Sequence, residues 1–300
     1  MKKKIILIIF FAFLFFTIFY KWQISTSNLY LLQGDKNYNT ENYSEALKNY
    51  KYVTVIDGNR DVIYEAKIKR AKIFFEHGDL EKSKQELYKA IEEKRSNSIA
   101  YELMGDIYYA KRNINSAIIY YNKAGQIKNS KEIEIKLGKS FIAINEKKKA
   151  YDIFLQLSLN STDSEVLYYL GFLDFYNNIE YNSFFQQIEK ESSNYEFELK
   201  TIKAFSENCC NTKNERYKNI LVADLYNKIN QPYLAISKIE ENSESNFNYR
   251  DAWIILGKAN YILGNYESSY NNFQKAFDAD SHNSEISFWL KSSFEKMKGK

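Results

Sequence analysis

Three hundred residues, 45% hydrophobic and 27% charged, describe a chain that folds around a core rather than staying disordered. The formal net charge of +4 sits at the very start: Lys2, Lys3, Lys4 and Lys21 come before residue 26 with no acid among them, and the remaining 38 Lys+Arg match 38 Asp+Glu. That balance disfavours nucleic acid as a partner, because phosphate binding asks for a basic excess. Two Cys, two His and one Pro exclude a disulfide framework and leave little for a metal site.

The 26 Tyr and 21 Phe come with only six Arg, the bias that AT-rich codons of a low-GC bacterial genome produce. A ligand role for any single aromatic therefore needs evidence beyond its presence.

The first element is apolar. Ile5 to Tyr20 is an unbroken run of sixteen residues, thirteen of them Leu, Ile or Phe. As a helix it spans about 24 Å, short of the ~30 Å hydrocarbon core. Tyr20 and Trp22 suit an interface and Lys21 can snorkel, so residues 1–26 are expected to form an uncleaved signal anchor. Lys2–Lys4 on the N-terminal side then place the remaining chain outside the cytoplasmic membrane. Ser25-Thr26-Ser27 offers a cleavage site as the alternative.

From residue 27 the chain repeats. Segments starting at Ser27, Tyr64, Ser98, Lys131, Ser164, Arg216 and Arg250 carry Gly34, Ala71, Gly105, Gly138, Gly171, Ala223 and Gly257 at their eighth place. Twelve residues on come Ala46, Ser83, Ala117, Ala150, Ser183, Ala235 and Ser269. A glycine inside a helix costs up to ~1 kcal/mol relative to alanine, so something must require it. Two antiparallel helices in very close contact do. Gly78 and Gly264 fall at the fifteenth place, where the chain turns.

Trp253-Ile254-Ile255-Leu256-Gly257 followed by Gly264-Asn265-Tyr266, Phe273 and Ala276 resembles the tetratricopeptide repeat, a helix–turn–helix unit of 34 residues. Tyr101, Met104-Gly105, Tyr108, Ala117, Tyr121 and Ala124 form a second good unit, and Leu137-Gly138, Phe141, Ala150 and Phe154 a third. The resemblance implies an all-α fold, a right-handed superhelical array of helix–turn–helix repeats (an α-solenoid), which the apolar run is expected to precede with one transmembrane helix. Five repeats are expected over 27–197, an insert or extra helix over 198–215, two repeats over 216–283, and a capping helix over 284–300. The fifth repeat departs from the pattern: Gln187 and Lys190 stand where apolar residues are expected. Pro232 starts a second helix, where proline is tolerated.

In this family the inner surface is lined by first helices. At their twelfth place stand Tyr38, Phe75, Tyr109, Ile142, Phe175 and Tyr261, with Asn227 as the exception. The six form a candidate peptide groove, against which stands plain core packing. The family's clamp for acidic C-termini is absent, since Leu31 and Asp35 occupy two of its places. Cys209 and Cys210 adjoin in sequence and rarely pair with each other; an intermolecular disulfide is the alternative to two incidental thiols. No nucleophile motif, glycine-rich phosphate loop or zinc spacing is present, so no catalytic residue, metal or cofactor is expected. The function implied is a non-catalytic, membrane-anchored scaffold for protein or peptide partners, in assembly of an envelope complex. A cytoplasm-facing adaptor or regulator of an enzyme is the alternative.

Overall fold

The computed structural model describes residues 2–56, 59–159, 162–192, 194–208, 215–241 and 249–298; Cys209 and Cys210 lie outside them. Among the described residues every regular element is a helix. The chain divides into two units, 1–137 and 138–300. The first holds α1 (Lys2–Asn39), α2 (Tyr43–Val55), α3 (Arg60–Glu76), α4 (Leu80–Glu93), α5 (Ser98–Ala110) and α6 (Ile114–Ile127). α7 (Lys131–Ala143) begins in it and ends in the second. The second continues with α8 (Lys147–Ser158), α9 (Ser164–Asn178), α10 (Ser183–Glu191), α11 (Glu196–Asn208), α12 (Glu215–Lys228), α13 (Pro232–Glu240), α14 (Arg250–Ile262), α15 (Tyr266–Ala279) and α16 (Ser284–Lys298).

The backbone turns the same way in repeat after repeat. Glu41, Gly78, Arg112, Asn145, Asn230 and Gly264 all have positive φ, and all are fifteenth in their repeats. The next N–H then bonds back to the carbonyl five residues earlier: Asn42 to Asn37, Asp79 to Phe74, Asn113 to Tyr108, Asn265 to Asn260. This is the Schellman closure of a helix end. The following helix is capped at once, with Asp79 accepting from the Lys82 N–H and Asn113 from the Ser116 N–H, both at 3.1 Å.

The pairing inside each hairpin explains the glycines. A Cβ on Gly138 would meet the Phe154 ring at 2.6 Å, on Gly171 the Phe185 ring at 2.5 Å, and on Gly257 the Phe273 ring at 2.8 Å. Gly34 and Gly105 are occupied in the same way by Tyr50 and Tyr121. The bare face of the first helix is thus a seat for an aromatic ring of the second. Where the eighth residue is Ala71 or Ala223, the residue in the ring's place is aliphatic, Leu87 or Ile239, and all four are buried. One methyl gained on one side is matched by a smaller side chain on the other. The small residue twelve on also makes contact: Ser83 Oγ donates to the Ala71 carbonyl at 2.7 Å, and Ser269 Oγ to that of Gly257 at 2.9 Å.

The fifth repeat is out of register. Its positive-φ residue is Ile179, one place late, and its cap is Asn182, so α10 starts three places late. The ring in the Gly171 seat is Phe185, fourteen residues on rather than sixteen, and Phe185 and Ile188 fill the core. Gln187 and Lys190 are thereby relieved of the apolar role their numbering assigned them.

The N-terminal expectation is corrected. Among the described residues no helix is long and apolar enough to cross a membrane. The sixteen-residue run is short for the hydrocarbon core, and it is not a separate element. It continues without a break as α1 through Lys21, Gln23, Ser25 and Ser27 into the first repeat. The transmembrane anchor and single-pass localisation expected from sequence are withdrawn. The envelope-assembly and membrane-adaptor readings lose the support they drew from it.

Candidate functional site

On the first-helix face of the N-terminal unit a three-residue link recurs. The Tyr50 hydroxyl donates to Asp35 Oδ1 at 2.7 Å, and Lys69 from the next repeat reaches the same oxygen at 2.9 Å. Two repeats later the Tyr121 hydroxyl donates to Asp106 Oδ1 at 2.8 Å, and Lys136 pairs with Asp106 Oδ2 at 2.9 Å and with Glu102 at 2.7 Å. Burial and the adjoining carboxylate push both phenols well above the usual tyrosine value, so both stay protonated donors. Each link ties the two helices of one hairpin to the first helix of the next.

Of the five repeats whose seated residue has no hydroxyl, three have lysine at the ninth place and two have Phe172 and Asp224. Lys72, Lys139 and Lys258 stand at the ninth place opposite Leu87, Phe154 and Phe273. Two of them reach forward to a glutamate second in the following first helix: Lys139 to Glu165 at 3.3 Å and Lys258 to Glu285 at 2.7 Å. The corresponding place for Lys72 holds Ile99, which is apolar and exposed. Lys72 is itself exposed, and no acceptor among the described residues engages its ammonium.

Lys72 lines a cavity of about 410 Å³. α1 contributes Asp35, Tyr38 and Asn39, α2 contributes Tyr50, and α3 contributes Lys69, Lys72 and Glu76. The Tyr38 hydroxyl donates to both Glu76 oxygens, at 2.8 and 2.9 Å, which moves its own pKa up to about 12. Asp35 is satisfied by Tyr50 and Lys69. The volume lies at the small end of the range for ligand pockets.

The sequence-derived groove residues divide into two kinds. Phe175 is fully buried among Phe185, Phe205 and Tyr226, and Ile142 is 4% exposed, so both are core and cannot touch a partner. Tyr38, Phe75, Tyr109 and Tyr261 keep partial exposure. Tyr38 stands edge-on to Tyr43, Phe75 packs on the core between α3 and α5, and Tyr261 lies against Tyr266 and Trp289. Asn227, the polar exception, is buried and donates to the Ile255 carbonyl at 2.9 Å. Only Tyr38 lines the cavity. Asp35, Lys69, Lys72 and Glu76 are not among the sequence-derived groove residues, although the pairing of a ninth-place Asp with a seated Tyr is visible in the sequence. Among the described residues no group of three or more His, Cys, Asp or Glu is placed to hold a metal ion.

The sequence matches no family model and no curated protein. Among solved structures, a tetratricopeptide repeat protein from Parabacteroides merdae superposes with a TM-score of 0.54 at 15% identity, over 90% of this chain and 99% of that one. YrrB, described as a TPR protein with an unusual peptide-binding site, gives 0.34 at 16% identity over 76% and 91%. Pseudomonas aeruginosa pilF gives 0.39 at 16% over 78% and 99%. The first likeness establishes the tetratricopeptide-type solenoid fold; the other two are too weak to argue from.

Proposed function

We propose that this solenoid is a non-catalytic scaffold that holds a segment of a protein partner along its first helices. The observation that carries the reading is the cavity between α1 and α3, lined by Lys72, whose ammonium no acceptor among the described residues engages. Repeat arrays bury each unit against its neighbours, so residues on an exposed face vary without cost to the fold. Tyr38 gives the partner an aromatic edge, and Lys72 favours a carboxylate on the partner side chain that enters. Phe75, Tyr109 and Tyr261 extend the same face of their helices, each within its own unit.

Photo-crosslinking in living cells tests this. Benzoylphenylalanine placed at Tyr38 or Phe75 is expected to trap a discrete adduct, and Lys72→Glu is expected to weaken the Tyr38 adduct. The same probe at Ile119, exposed on the second helix α6, serves as control. Adducts at Ile119 equal to those at Tyr38, or none at Tyr38 and Phe75, would overturn the reading.

A further inference from the structure

In the C-terminal unit α9 meets α12 and α13 mainly through side chains. The Tyr226 ring lies 6.1 Å from Phe172, 6.4 Å from Phe175 and 5.9 Å from Tyr176. Beside these rings is an ionic cluster assembled from three distant parts of the chain. Lys238, in the last turn of α13, is 8% exposed, and its ammonium donates to the Tyr176 carbonyl at 3.0 Å. α9 ends at Asn178, so that carbonyl is among the four that have no donor within their own helix. A cation at the C-terminal end of a helix is also favoured by the helix dipole. The same ammonium is 4.3 Å from the centre of the Tyr176 ring, and Lys147, from the start of α8, is 4.2 Å from it.

Two ammonium groups on one ring repel each other, and Glu241 is the carboxylate that meets both. It lies 3.0 Å from Lys147 and 3.6 Å from Lys238. Burial holds the Lys238 amine below the ordinary lysine range, the mark of a cation that the site tolerates only with help. The Tyr226 hydroxyl nearby is buried with no partner among the described residues, so the junction is not optimised for stability alone.

We propose that Lys147, Tyr176, Lys238 and Glu241 form an electrostatic latch that holds α12–α16 as a block against α8–α9. Glu241 is its pin: without that carboxylate Lys238 becomes an uncompensated buried charge beside a second cation. Lys238 is the buried member and Glu241 the exposed one, so removing the acid leaves a buried cation without its counterion, whereas removing both partners can be nearly neutral. The block then opens as one unit, by the kind of subglobal opening that hydrogen exchange detects.

The test is amide hydrogen exchange on the full chain for wild type, Glu241→Gln, and Glu241→Gln combined with Lys238→Met. Glu241→Gln is expected to speed exchange in α12–α16 by roughly tenfold or more, leaving α5 and α6 unchanged. Adding Lys238→Met is expected to restore most of the protection. Unchanged exchange in Glu241→Gln, acceleration spread equally over both units, or a double variant as fast as the single one would overturn the latch. Should Glu241→Gln alone not fold, a folded double variant supports the latch and an equally unfolded one contradicts it.

Discussion

At the scale of single residues, the eighth and twentieth places touch in the second and seventh repeats, and Ser269 shows what that contact is worth. Its hydroxyl donates to the Gly257 carbonyl and lies 2.8 Å from the Ser293 hydroxyl, all inside the core. Ser269→Ala fills the space without strain but leaves the buried Ser293 hydroxyl short of a partner and takes the second donor from the Gly257 carbonyl, which keeps its bond within α14. A loss of about 1–3 kcal/mol in urea-unfolding free energy is expected, and a variant within 0.3 kcal/mol of wild type would show the bond to be dispensable. The offset of twelve that defines the contact was legible from small residues alone. Its hydrogen bond was not, because alanine and serine fill the place equally well by size.

At the scale of elements, each hairpin is closed by a left-handed residue in its turn. Sequence pointed to it only where glycine stands, at Gly78 and Gly264; Glu41, Arg112, Asn145 and Asn230 adopt the same conformation. The Schellman hydrogen bond and tertiary packing override the local preference there, so residue type alone could not reveal it. A non-glycine residue in this conformation costs roughly 1 kcal/mol. Glu41 is exposed, with φ of 59°. Glu41→Gly is therefore expected to hold or raise stability by up to about 0.5–1 kcal/mol despite the entropy glycine adds to the unfolded chain, seen as a higher melting temperature. A clear drop would mean the turn is less sharply left-handed than described. The displaced register of α10 was equally hidden: the twelve-residue offset to Ser183 is kept while the cap moves from the sixteenth to the nineteenth place.

At the scale of the whole molecule, the all-α repeat architecture was readable because glycine is costly in helices and recurs anyway. Less was legible of the site. Choosing the twelfth place gathered core residues such as Phe175 together with surface ones such as Tyr38, since aromatics serve both roles. That no acceptor among the described residues engages Lys72 depends on which neighbours a stacked helix brings within reach. The apolar start, read as an anchor, belongs to one long helix shared with the first repeat.

One size rule runs through these hairpins: glycine opposite an aromatic ring, alanine opposite an aliphatic side chain. The direct measurement is a double-mutant cycle in denaturant unfolding on Gly105 and Tyr121. Gly105→Ala forces a methyl into the Tyr121 ring and is expected to cost about 1–3 kcal/mol. Combined with Tyr121→Leu it recreates the native pairing of Ala71 with Leu87. The double variant is expected to be more stable than the sum of the single losses by about 1 kcal/mol or more. Single losses that simply add would contradict the account, because the ring and the glycine would then not share a seat.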